Sequence, residues 1–365
     1  MLKKYPYALL CLFLCISMHS SAQTNDTSAV FSLNGYVDTY IAWYTDSLAV
    51  EGYQQFPSTD PLSAQFGLNI AELSAAYDAK KVHANVTLHY GDLPMSAWSG
   101  KYNMIQQAYA GVKLGKSIWL DAGFFRTHIG GEGLYPKENI ASSIAIPTYF
   151  EPYYESGLRM TWNINDAWEL KVLAMNGYNM FDDNNRRKSA GILLVYTIND
   201  HWNAGYNNYY GDDTPEFADS ILHNRLYNNL FVNFEKKKFK ALLSADLAMQ
   251  QNSGLDSPDA SASMYSALLA LRYQMCSTTG VYVRGSICND PDGFMTGVYM
   301  HSDGTFSGLN ITGATLGIEY KPIDNAYIRV EGRTLMAEDG LDIFYWNGTA
   351  TASRMELLFN MGVWF

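Results

Sequence analysis

This sequence is short of cysteine, charge and long apolar runs, and each shortage excludes something. Four cysteines occur in 365 residues, and Cys11 and Cys15 fall in the first segment. The other two, Cys276 and Cys288, read as lying near opposite ends of one strand. Twelve residues of extended chain hold them roughly 40 Å apart, far beyond the about 7 Å between Cα atoms that a disulfide spans. A small stapled scaffold is therefore excluded. Only 17% of residues are charged and acids outnumber bases 36 to 25, which argues against nucleic acid as a partner. No apolar run of about eighteen residues, the mark of a spanning helix, follows the first segment. Gly130 to Gly133 is glycine-rich, but no Lys-Ser/Thr pair follows and no βαβ unit surrounds it, so neither phosphate-binding fingerprint is met. His83 and His89 share one strand face about 20 Å apart, too far to hold one metal. His128 and Glu132 share a loop without a positioned nucleophile, and no cofactor motif is found, so the chain does not read as an enzyme.

Aromatic residues, in contrast, make 14% of the chain and glycine is plentiful, yet mean hydropathy is only −0.15. Apolar residues are thus spread by alternation, as the lipid-facing wall of a membrane barrel requires. The amino terminus reads as an export signal: Lys3 and Lys4, the apolar stretch Ala8 to Ile16, then Ser20-Ser21-Ala22, predicting a leader over 1–22 and a mature barrel domain over 23–365. Its removal takes two lysines and no acid, leaving 36 acidic against 23 basic residues. At the other end, Met355, Leu357, Phe359, Met361, Val363 and Phe365 form one apolar strand face, opposite Arg354, Glu356, Leu358, Asn360, Gly362 and Trp364. On the mixed face, Asn360 is expected to tolerate an acid. A last strand closing on Phe365, with Val363 and Phe359 on the same face, resembles the assembly signal of bacterial outer-membrane barrels. That resemblance implies handling by a β-barrel assembly machinery.

Sixteen stretches alternate in this way, from Phe31–Tyr44 to Ser353–Phe365. The facing of 104–114 is ambiguous, since Gln106, Gln107 and the alanines suit either side. The connections alternate as well. Short turns at 79–81, 114–117, 163–167, 199–201, 235–238, 276–278 and 321–325 separate longer polar segments at 45–65, 91–102, 126–152, 178–188, 211–223, 250–262, 289–308 and 337–352. This predicts an all-β fold: a transmembrane up-and-down antiparallel β-barrel of about sixteen strands, with short periplasmic turns and long outer loops. None of the loops reads as carrying a folded insert. Ten outward aromatics, among them Trp162, Trp168, Tyr196, Trp202 and Phe365, fall beside the short turns and read as an interfacial girdle.

The stretch from Ile105 to Trp162 carries Gln107-Ala108-Tyr109, Asp121-Ala122-Gly123-Phe124, Ile129-Gly130-Gly131-Glu132, Asn139, and Pro152 followed by Ser156-Gly157 and Arg159. It resembles the OmpL-like β-barrel porins of Bacteroidetes-type bacteria. The resemblance implies an outer-membrane porin fold and leaves the solute open.

A barrel of this size encloses an aqueous channel unless something fills it. Inward parity selects Asp38, Glu72, Asp121, Arg159, Arg272, Arg284, Arg329, Arg333 and Arg354 as pore-lining candidates. The longest loop, 126–152, carries His128, Glu132, Lys137 and Glu138 and reads as a constriction. Two charge arrangements are open: an acidic loop facing a basic wall, or arginines neutralised by Glu319, Glu331 and Glu356 on the same wall. Two functions are open too. One is passive or weakly selective diffusion of small hydrophilic solutes through an outer-membrane porin, for which a homotrimer is one assembly. The other is a binding or structural barrel, such as an adhesin, a surface-display channel or a plugged barrel.

Overall fold

The protein is described from a computed structural model, which covers residues 29–47, 49–50, 52–56, 59–218 and 221–365. The expected leader over 1–22 lies outside these residues. Alternating apolar and polar side chains produce sixteen strands that close on themselves. They are β1 (Val30–Tyr44), β2 (Phe66–Asp78), β3 (Val82–Tyr90), β4 (Ile105–Lys113), β5 (Ile118–Arg126), β6 (Tyr154–Asn163), β7 (Trp168–Met175) and β8 (Ser189–Asn199). The circuit continues with β9 (Trp202–Gly211), β10 (Arg225–Lys236), β11 (Phe239–Gln250), β12 (Ala262–Gln274), β13 (Thr279–Asn289), β14 (Asn310–Tyr320), β15 (Ala326–Ala337) and β16 (Ser353–Trp364). Each strand pairs antiparallel with its sequence neighbour, and β1 pairs with β16 from Tyr36↔Trp364 to Tyr44↔Glu356, so no edge remains open. Closure satisfies every ladder hydrogen bond internally, which is what a wall facing lipid demands.

The two faces differ as alternation requires. Val37, Leu243, Leu269, Val283, Leu316 and Leu357 point outward and are exposed, while Asp38, Ser244, Arg284 and Glu356 point inward and are buried. At the short-turn end the outward aromatics meet across strands: Trp168 stacks on Tyr196 at 4.3 Å between ring centroids, and Trp202 lies 4.5 Å from Phe234. The ambiguous strand β4 is resolved by a bulge. The register slips between Thr87 and Leu88, so Thr87 pairs with Gln107 and Leu88 with Ile105. The extra residue turns Gln106 inward beside Gln107, and strict alternation cannot describe that.

The long loops are more structured than expected. Short ladders form at Ala49–Val50 with Tyr53–Gln54, at Tyr299–Met300 with Phe306–Ser307, and at Phe344–Trp346 with Thr349–Thr351. The last turns at Asn347-Gly348, both in the left-handed region. An Asn-Gly pair between strand-forming residues is the usual signal for such a hairpin. Two short helices, α1 (Asp92–Ala97) and α2 (Ile146–Phe150), sit in the second and third loops.

Candidate functional site

The third loop enters the barrel. It leaves β5 at Arg126 and first meets β6 and β9: His128 contacts Glu155 Oε1 through Nδ1 at 2.7 Å and the Asn208 carbonyl through Nε2 at 2.8 Å. Burial disfavours the imidazolium, but the Glu155 carboxylate outweighs it and holds His128 above its ordinary pKa. Gly130 then takes φ +96°, and a Cβ on Gly131 would lie 2.7 Å from Cβ of Phe231 on β10. The glycine run is therefore required by a bend and a close approach.

Past this point the loop reaches the far wall. Glu132 accepts from Arg284 of β13 at 2.8 Å and from the Ala145 N–H at 2.7 Å. Arg329 of β15 donates to the carbonyls of Pro136, Ala141 and Asn139 at 2.8, 3.0 and 3.1 Å. Glu331 accepts from the Ser142 N–H at 2.7 Å and the Tyr282 hydroxyl at 2.9 Å. Towards β2 and β4, Lys137 pairs with Glu72 at 3.0 Å, and the Tyr135 hydroxyl meets Gln106 and His89. The loop thus spans the lumen, tied to strands on opposite sides.

The wall arginines are neutralised. Glu319 takes Arg272 at 2.6 Å and Arg329 at 2.7 Å, while Glu356 takes Arg333 at 3.3 Å and Arg354 at 2.7 Å. Arg329, Arg333 and Arg354 are buried: Arg329 lies behind the third loop, and Arg354 lies beneath the first, donating to the Gln55 carbonyl at 3.0 Å. Less buried lumen charges lie on β5 to β7 and the loop's first half, and at the β10–β11 end, where Lys240 pairs with Glu235 at 2.6 Å. Arg126 and Glu138 pair at 2.5 Å with side chains 29% and 30% exposed, and Lys171 and Glu169 at 3.2 Å, 28% and 35% exposed. Arg159 is held by Asp121 at 2.9 Å, which also meets His83 at 2.6 Å. A cavity of about 410 Å³ separates the loop from this wall, lined by Gln107, Arg126, Glu132, Glu151, Arg159 and Lys171 among others.

Over residues 30–365 the sequence matches the family described as "Putative beta-barrel porin-2, OmpL-like". The chain belongs to this family. Its fold is shared with solved outer-membrane proteins. The channel DcaP of Acinetobacter baumannii is 10% identical, with a TM-score of 0.62, covering 92% of this chain and 97% of its own. Salmonella typhi OmpF, solved with daunomycin, is 11% identical, with a TM-score of 0.59 and the same coverage. Vibrio cholerae OmpT is 13% identical, with a TM-score of 0.56, covering 94% and 99%. No curated protein matches the sequence.

In this outer-membrane porin, the expected pore-lining positions divide into two groups. Asp121 and Arg159 border the cavity side; Arg272, Arg284, Arg329, Arg333 and Arg354 are sequestered in ion pairs. Glu72 is bound to Lys137, and Asp38 is buried beneath Asn69, Asn360 and Tyr327. Phe359, Val363 and Phe365 face outward as expected. The expectation for Asn360 is overturned. Its amide donates to Asp60 at 2.6 Å and to Asp38 at 3.4 Å, so an acid there would be a third buried carboxylate. Sequence reasoning passed over Glu169, Lys171 and Glu155. Outward Trp168 already implied inward Glu169 and Lys171 by parity.

Proposed function

We propose that this porin lets small hydrophilic solutes diffuse passively, with weak charge preference, past a constriction formed by loop 126–152. The observation that carries the reading is the cavity between that loop and β4 to β7, whose lining cations Arg126, Arg159 and Lys171 are each paired, with Glu138, Asp121 and Glu169 behind them, and whose acid Glu132 is paired with Arg284. Paired charges present dipoles rather than a net field, so neither ion sign is strongly excluded. Export through a cleaved leader over 1–22, barrel assembly by an insertion machinery that reads Phe365, and a homotrimeric state belong to the same reading. A trimer form of Vibrio cholerae OmpT shares the fold and supports the last of these.

A plugged barrel has one observation in its favour: buried Phe125, Met175, Tyr227, Met264 and Leu335, from strands around the barrel, form one apolar cluster with Ile129 and Ile146 of the third loop. Planar-bilayer recording of purified protein separates the two. Discrete ohmic channels with a reversal potential near zero across a salt gradient support the porin. Absence of channels from folded protein supports the plug.

A further inference from the structure

At the long-loop end, four loops enclose a second cavity of about 420 Å³, apart from the one beside the third loop. Its walls include Gln54 and Phe56 from the first loop, Met95 from α1, Tyr149 and Phe150 from α2, and Tyr299 from the seventh loop. Among the described residues no charged side chain lines it. Rings dominate: Phe56 lies 5.4 Å from Tyr149 and 6.1 Å from Phe150, and Tyr149 lies 5.0 Å from Phe150, all edge-on. Phe56 also meets Phe344 edge-on at 6.4 Å and carries the Arg354 guanidinium over its ring at 6.0 Å from the centroid.

Two further observations point to a ligand. Phe56 is held at φ +54°, a backbone conformation uncommon for a bulky residue. Such conformations persist where surrounding structure imposes them and are concentrated at ligand clamps. Gln54 is 5% exposed, and its Oε1 has no hydrogen-bond donor among the described residues. Its backbone N–H is anchored on the Pro61 carbonyl at 2.8 Å, and the side-chain acceptor is unused. A buried acceptor without a donor is costly, and a ligand hydroxyl would satisfy it.

We propose that this vestibule binds a neutral sugar. A pyranose ring has an apolar C–H face to lay on Phe56, Tyr149 or Phe150, and a rim of hydroxyls, one of which donates to Gln54 Oε1. An ion would find no countercharge there, and a hydrocarbon would leave Gln54 unsatisfied. The volume falls in the usual range for small-ligand sites, about 300–1,000 Å³. The site lies at the loop end, where a solute entering the barrel from that side would meet it.

Saturation-transfer NMR on detergent-purified full-length protein, with maltotriose as the probe, tests this without requiring conduction, so its failure is distinct from failure of the porin reading. The expected result is saturable transfer to ring protons, with Gln54→Leu and Phe56→Leu each weakening affinity about fivefold or more, the scale of one lost buried contact. Heat-modifiable gel mobility confirms that each variant has folded. Absence of saturable binding to wild type overturns the proposal, as does equal affinity in two folded variants. Should either variant fail to fold, the other and the wild-type titration decide.

Discussion

Glu132 and Arg284, 152 residues apart in sequence, meet at 2.8 Å in an ion pair whose side chains are 1% and 2% exposed. One residue belongs to the third loop and the other to β13, so this pair fastens the loop to the far wall. Removing one partner leaves a buried charge uncompensated, at a cost of about 3–5 kcal/mol, whereas apolar replacement of both is often near neutral. Arg284→Ala should therefore lower the temperature at which the folded gel band is lost. Glu132→Leu with Arg284→Met should recover most of that loss. Additive effects in the double variant would show that the pair is not coupled.

Phe365 takes part in the seam between β1 and β16. The Phe365 N–H donates to the Gly35 carbonyl at 3.0 Å, the Gly35 N–H donates back at 3.1 Å, and the Phe365 ring covers Gly35 so closely that a Cβ there would lie 2.4 Å from it. Deleting Phe365 or replacing Gly35 with Val should lower the fraction that migrates as folded barrel in unboiled samples. Asn360→Asp should do so too, because it converts a donor to Asp60 and Asp38 into a third acid. Normal folded yield of all three would contradict this account of the seam.

Glu151, in the third loop, has its carboxyl pushed well above the ordinary 4.5 by burial, with Asp246 and Glu132 adding like charge. The folded state therefore holds this proton more tightly than the unfolded chain does, and stability from this group falls as pH rises. Relative to wild type, Glu151→Gln should gain nothing below about pH 4, where both states are protonated. Its advantage should open above the ordinary value and grow until the folded carboxyl ionises. Thermal melts of both proteins across pH check this; a constant difference would remove Glu151 as the cause.

Charge preference should answer to the open wall rather than to the buried one. Replacing Arg159 and Lys171 with Ala leaves Glu169 without its partner and Asp121 held only by His83, and the reversal potential should move towards cations. The shift should be clearest in dilute salt, since physiological salt screens beyond about 8 Å. Arg329→Ala should act mainly on folded yield, because its guanidinium is spent on Glu319 and three loop carbonyls. A larger selectivity change in Arg329→Ala would return the basic wall to the passage.

Strands and their facing were legible because lipid on one side and polar lumen on the other impose a period of two on every crossing. Alternation failed at β4, where a bulge admits Gln106 and Gln107 to the same side. The hairpin at Asn347-Gly348 carried a turn signal within a segment that reads as polar loop. Inward parity correctly collected the arginines. Register across the short β14–β15 turn already sets Arg329 opposite Glu319, but parity could not say that Arg284 meets Glu132, because that partner is selected by where the loop lies. Period-two patterning has no register for a segment folded inside the wall. Which charges face open space therefore had to come from three-dimensional packing.

The most direct measurement is single-channel conductance in planar bilayers of a variant lacking Gly130 to Pro136, with Arg284→Met included so that no buried charge is stranded. If loop 126–152 narrows the passage, conductance rises well above wild type and selectivity changes less, since Arg126, Arg159 and Lys171 remain. Unchanged conductance from folded protein would contradict the account, because the segment that crosses the lumen would then not limit flow.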